Sequence, residues 1–144
     1  MVSADPTEPQ ATVVVIDDDA SMREALGSLL ASVGLQSKLL ASVADFVKSG
    51  RPAGPTCLVL DVGLPGLNGL DFQRELAAAN IHLPIVFITG DDDISKSIQA
   101  LKDGAIEFLM KPFEDQDLLD AIGNGLARDR ARLDSENANA PARA

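Results

Sequence analysis

The sequence predicts an α/β fold: an open, doubly wound five-stranded parallel sheet with helices on both faces. Three observations predict it. Five short apolar runs alternate with amphipathic stretches along the chain, and such alternation arises when parallel strands are joined by crossover helices. The first run, Val13 to Ile16, is wholly β-branched and unbroken, as suits a strand buried on both faces. Finally, 144 residues hold five β/α units, whereas a closed eight-unit barrel takes about 250 residues.

The elements follow in order. After the strand at 13–16, Ser21 opens a capping box with Glu24. Met22, Ala25, Leu26, Leu29, Leu30 and Val33 then recur at helical spacing until Gly34 stops the helix. A weaker strand pattern covers Lys38 to Ala41, and Ser42 with Asp45 repeats the capping pattern before a short helix. Gly50 to Pro55 is a turn-rich loop, and Thr56 to Asp61 is the third strand. The next segment, VGLPGLNG, has three glycines and a proline and reads as a loop. A helix is expected around Leu70–Ala79, a strand over Pro84–Thr89, a helix over Ile94–Asp103 ended by Gly104, and a strand over Ala105–Met110. The last helix runs from about Asp115 into the Arg128–Arg132 region, with Leu118, Leu119, Ile122 and Leu126 on one face. Residues 1–11 and 134–144 lack periodicity and are expected to be disordered. The domain is expected to span 12–128, with 129–144 a helix end and a linker or tail.

Composition narrows the function. Hydrophobic residues make up 46% of the chain, enough for a core without a metal or disulfide staple. One cysteine, Cys57, excludes an internal disulfide and suits a reducing cytoplasm. No signal peptide is visible, and no apolar run approaches the ~20 residues of a membrane helix. A net charge of −10 with 3% aromatics argues against gripping a nucleic-acid backbone or stacking on bases.

In doubly wound sheets function gathers at the carboxyl ends of the strands. There the sequence places Asp17-Asp18-Asp19, Asp61, Thr89 and Lys111. Each alone has a bland reading: a solvated acidic loop, a helix cap, a turn residue, a surface lysine. Together on one edge they form a charge-complementary pocket. Asp17, Asp18 and Asp61 carry three negative charges; Lys111 and a divalent cation would cancel them. Carboxylate, carbonyl and water ligands favour Mg²⁺ or Mn²⁺ over zinc, and His82 and Cys57 stand apart from any ligand cluster. Such a site serves a phosphate, with an Asp as nucleophile, Lys111 neutralising the transferring phosphoryl and the Thr89 hydroxyl donating to its oxygens. The pocket reads as one for aspartyl phosphorylation.

The runs VVVIDDDASMREAL, LVLDVGLPGLNGLD, PIVFITG and DGAIEFLMKPF resemble the receiver domain of two-component response regulators. The resemblance covers about 12–128, and ITGDDD with GAIEFLMKPFED resembles the FixJ-type subgroup. It implies a flavodoxin-like sheet in the order 2-1-3-4-5. It implies Asp61 as phosphoacceptor, Asp18 and Asp61 as direct Mg²⁺ ligands, Asp17 acting mostly through water, and the Gly63 carbonyl as a further ligand. Thr89 and Phe108 match the switch pair, Lys111 the family's lysine, and Lys111-Pro112 its cis peptide. In the family the positions held here by Gly63, which has no side chain, and Asp91, two past Thr89, influence phosphoryl lifetime. The implied partners are a sensor histidine kinase and, after phosphorylation, a second copy. Neither a membrane nor nucleic acid is an expected partner of this chain alone. FixJ-type members act on transcription through a C-terminal helix-turn-helix domain, which is absent from this chain. A stand-alone receiver acting by protein–protein binding is the alternative. A more distant one is a haloacid-dehalogenase-like phosphatase, in which Asp17 of DDDAS would be the nucleophile. GLPGLNG lacks the G-x-G-x-x-G spacing of a dinucleotide loop. His82 reads as a surface loop residue. Arg128, Arg130 and Arg132 read as favourable charges near a helix C-terminus, with the start of a linker as the alternative.

Overall fold

The computed structural model describes residues 10–61, the four helical residues Phe72, Arg74, Leu76 and Ala78, and residues 83–89 and 106–139. Its strands are β1 (Thr12–Ile16), β2 (Gln36–Leu40), β3 (Thr56–Asp61), β4 (Ile85–Thr89) and β5 (Glu107–Met110). They pair in parallel in the order β2-β1-β3-β4-β5, so fold class and strand order are as expected. The expected helix over 94–103, the loop after Asp61 and both chain ends at 1–9 and 140–144 lie outside the described residues.

Alternating side chains in the central strands build two cores. Val14, Ile16, Leu58, Leu60 and Phe87 face one side and pack with Phe46, Phe72 and Leu76. Val13, Val15, Val59, Val86 and Ile88 face the other and pack with Leu26, Leu30, Leu118 and Ile122. Helices on both faces therefore bury a sheet whose central strands are apolar between their end residues, which is why those strands read as continuous runs. The edge strands are half-covered, with Leu39 on β2 and Met110 on β5 exposed. This half-burial explains the weak pattern of β2.

Several boundaries differ from the sequence reading. Helix α1 (Ala20–Ser32) is capped by Asp19, not Ser21: the Asp19 carboxylate accepts from the Ser21 and Met22 N–H groups. A carboxylate both caps and favours the positive end of the helix dipole. Gly34 ends α1 as expected, at φ 80°. Ser42 caps α2 (Val43–Ser49), accepting from the Asp45 N–H. β2 starts at Gln36, two residues before the expected strand. β4 starts after Pro84, which lacks an N–H for the ladder.

The largest difference is the C-terminal helix, Asp115–Asn139. It continues into the stretch expected to be disordered, because no Gly or Pro interrupts the sequence between Leu126 and Ala140. The Arg128–Arg132 group is therefore mid-helix, not at a helix C-terminus. Within it, Asp129 is buried. Its carboxylate accepts from Arg51, from Arg132 at 2.9 Å and from the Thr56 N–H at 2.8 Å. This cluster ties the helix to the start of β3, at the end of the sheet opposite the acidic strand ends. No helix among the described residues is long and apolar enough to cross a membrane.

Candidate functional site

Strand register assembles the site. Ile16 pairs with Leu60, so Asp17, one residue on, stands beside Asp61. Asp61 pairs with Ile88, placing Thr89 one step beyond. Thr89 pairs with Met110, and Lys111 follows. Four strand ends thus bring Asp17, Asp61, Thr89 and Lys111 to one edge, as the sequence predicts. Strand pairing, not proximity in sequence, is what joins them.

One carboxylate oxygen from each of Asp17, Asp18 and Asp61 lies within 4.8 Å of the others. Lys111 Nζ is 3.5 Å from Asp61 Oδ2. Asp17 is buried, Asp61 half-buried and Asp18 exposed. Burial pushes the Asp17 carboxyl above its ordinary value of 3.8. The Asp19 N–H opposes that rise, the Asp61 charge adds to it, Lys111 lowers it and Asp18 raises it again. Three like charges this close take up either protons or a cation. All three are hard oxygen donors, the set that a divalent ion such as Mg²⁺ prefers. The cluster is thus compatible with a divalent-metal site.

The acidic turn is tied on every side. The Asp17 N–H donates to the Leu40 carbonyl at 3.1 Å. Asp17 Oδ1 accepts from the Asp19 N–H at 2.9 Å. The Asp17 carbonyl accepts from Arg23 Nη1 at 2.6 Å. Sequence reasoning missed Arg23, because an arginine one turn into an amphipathic helix looks like a solvent-facing charge. The one available signal was its position, a turn after the helix start and so within reach of the strand end.

Thr89 is buried at the end of β4, and its carbonyl accepts from the Lys111 N–H at 2.8 Å. Phe108 is half-buried and packs on the Phe87 ring, centroids 6.0 Å apart. Lys111-Pro112 is cis, as the resemblance implies. Gly63, Asp91 and His82 lie outside the described residues.

The model for the response regulator receiver domain matches residues 13–123. Nodulation protein W of Bradyrhizobium diazoefficiens is 50% identical over 127 residues, 88% of this chain and 56% of that protein. The transcriptional regulatory protein FixJ of Azorhizobium caulinodans is 39% identical over 126 residues, 88% of this chain and 60% of that protein. The chain therefore spans somewhat more than half the length of these relatives. Among solved structures, response regulator StyR superposes with a TM-score of 0.84 at 44% identity, covering 90% of this chain and 65% of that one. The chain belongs to the response regulator receiver domains, phosphorylation-based switches rather than classical enzymes, and is closely related to regulators of the FixJ type.

Proposed function

We propose that Asp61 accepts a phosphoryl group from a phosphohistidine of a sensor kinase. The observation that carries this reading is the pocket itself: three carboxylates within 4.8 Å, with the Lys111 amine 3.5 Å from Asp61. Asp18, Asp61 and the Gly63 carbonyl would hold Mg²⁺ or Mn²⁺, with Asp17 acting through water. The bound cation supplies charge compensation for the carboxylates and the incoming phosphoryl.

An Asp61 oxygen attacks phosphorus, a P–O bond forms, and the P–N bond breaks as the imidazole leaves and takes up a proton. The Lys111 amine stabilises charge on the transferring group, and the Thr89 hydroxyl donates to its oxygens. As Thr89 moves towards the phosphoryl, the Phe108 ring fills the space it leaves. That pair changes the surface around β5, where a second copy docks. Sedimentation with bound beryllofluoride reads this step: a heavier species is expected, and an unchanged mass refutes dimerisation.

Asp61 is favoured as nucleophile over Asp17. The Asp17 side chain is buried and accepts from Asp19, whereas that of Asp61 is 12% exposed beside Lys111. This weighs against the dehalogenase-like alternative. On this reading the receiver unit spans 12–128, and the Asp129 cluster just beyond it ties the last helix to β3. The setting is cytoplasmic, and the output is transcription through a DNA-binding domain joined beyond this chain. The named relative FixJ, a transcriptional regulatory protein, supports that output; action by protein–protein binding remains the alternative.

The deciding experiment is labelling with acetyl phosphate and Mg²⁺, read by intact mass. One labile phosphoryl is expected, and none in Asp61→Asn, since an amide is no nucleophile here. Labelling that persists in Asp61→Asn, or that maps to Asp17, overturns the reading.

A further inference from the structure

Of the three carboxylates, Asp18 is the one whose placement needs explaining. Asp61 belongs to β3 and is flanked by β1 and β4. Asp17 is fixed by its N–H to Leu40 and its carboxylate to Asp19. Asp18 lies exposed beyond the end of β1 at Ile16, where strand pairing no longer sets the chain direction. The peptide that leads into it is the one whose carbonyl belongs to Asp17, and that carbonyl is held by Arg23 at 2.6 Å.

Arg23 itself is held from both sides. Its backbone N–H donates to the Asp19 carbonyl at 3.0 Å, the first turn of α1. The Asp19 carboxylate in turn caps that helix. Helix start and acidic turn are therefore one closed unit: Asp19 anchors α1, and α1 sends Arg23 back to grip the turn. A charge-assisted bond from a guanidinium is short, directional and stronger than a neutral one.

We propose that Arg23 is a positioning residue for divalent-cation binding, acting through Asp18 by fixing the Asp17–Asp18 peptide. The inference rests on the cation site of the proposed function. It adds a second cationic side chain to the pocket's surroundings. Asp17, Asp18, Asp19 and Asp61 set against Lys111 and Arg23 leave two negative charges, which a single divalent ion balances.

The test is Mn²⁺ binding by the full chain without any phosphodonor, with free ion read by electron paramagnetic resonance. Outer partners of metal ligands typically change affinity by 10–100-fold, so Arg23→Ala should weaken the Mn²⁺ Kd about tenfold. Arg23→Lys keeps one donor and the charge and should fall between the two. If the effect runs through Asp18, Arg23→Ala should add less than about twofold in an Asp18→Asn background. In acetyl phosphate labelling, half-saturating Mg²⁺ should rise by the same factor while the rate at saturation holds, a split that a general loss of structure does not produce.

Circular dichroism melts without metal establish folding; if Arg23→Ala is unfolded, Arg23→Gln, which lacks both reach and charge, carries the test. A folded Ala or Gln variant with wild-type Mn²⁺ affinity overturns the inference, as does full additivity with Asp18→Asn. Wild-type protein that binds no Mn²⁺ overturns it together with the cation site. Normal Mn²⁺ behaviour with no label on Asp61 overturns the proposed function and leaves the role of Arg23 standing.

Discussion

Asp17 shows how single residues combine legible and hidden information. Its place at a strand end follows from the VVVIDDD run, but its burial depends on what packs over the edge, which no local pattern records. Burial raises its folded-state value above the ordinary 3.8, and this fixes the sign of a pH effect in metal-free protein. Where the folded chain holds a proton that the unfolded chain has released, stability falls as pH rises from 3.8 through the raised value. An uncharged amide escapes that loss. Asp17→Asn in a chelator should therefore melt at a higher temperature than wild type at pH 7, with the gap closing as the pH drops below the ordinary carboxylate value. A variant that melts lower at pH 7 contradicts the burial argument. Cys57 is governed by the same physics: burial, with the Asp129 charge behind it, pushes its thiol up to about 12. The thiol therefore stays protonated at neutral pH and behaves as a small core side chain.

At the scale of elements, the central strands were readable because burial on both faces writes an unbroken apolar run, while their order came from the resemblance to receiver domains and not from any run. The helix cap and the length of the C-terminal helix were not. Competition between Asp19 and Ser21 is decided by where the chain leaves the sheet. The extension to Asn139 begins from the Asp129 cluster, whose partners Arg51 and Thr56 are 78 and 73 residues away. No window along the sequence spans such a contact. The same helix holds a sharper test of packing against propensity. Gly123 is exposed, and an added Cβ there meets nothing within 4 Å. Two residues on, a Cβ at Gly125 would stand 2.7 Å from Cys57 Sγ and 3.4 Å from Pro84 Cβ. Gly123→Ala should stabilise by about 0.5–1 kcal/mol through helix propensity. Gly125→Ala gains the same propensity but must push the helix off β3, and should lose about 1–3 kcal/mol. Urea melts compare the two, with midpoints moving in opposite directions at constant slope. Midpoints that both rise would mean the helix sits further from the sheet.

The whole molecule carries 22 acidic against 12 basic residues, and the fold spends some of those twelve internally. Lys111 faces Asp61 and Arg23 grips the Asp17 carbonyl. Arg51 and Arg132 are both paired with buried Asp129. The short basic group therefore offers Arg128 and Arg130 to solvent, while its third member is turned to structural use. Non-specific DNA affinity comes mostly from Lys and Arg side chains that displace counterions from phosphates. With −10 overall and an acidic cluster at one end of the sheet, long-range electrostatics oppose the encounter. This 144-residue chain should therefore leave DNA unbound by itself, even where a longer regulator built on the same receiver binds an operator. The measurement is fluorescence anisotropy of a labelled duplex titrated with the chain at low salt, where any electrostatic attraction is greatest. A flat titration at micromolar protein is expected, both without metal and with Mg²⁺. Micromolar binding that weakens steeply with added salt would show that Arg128 and Arg130 form a phosphate contact despite the surrounding field. Replacing both with Ala would then have to abolish that binding.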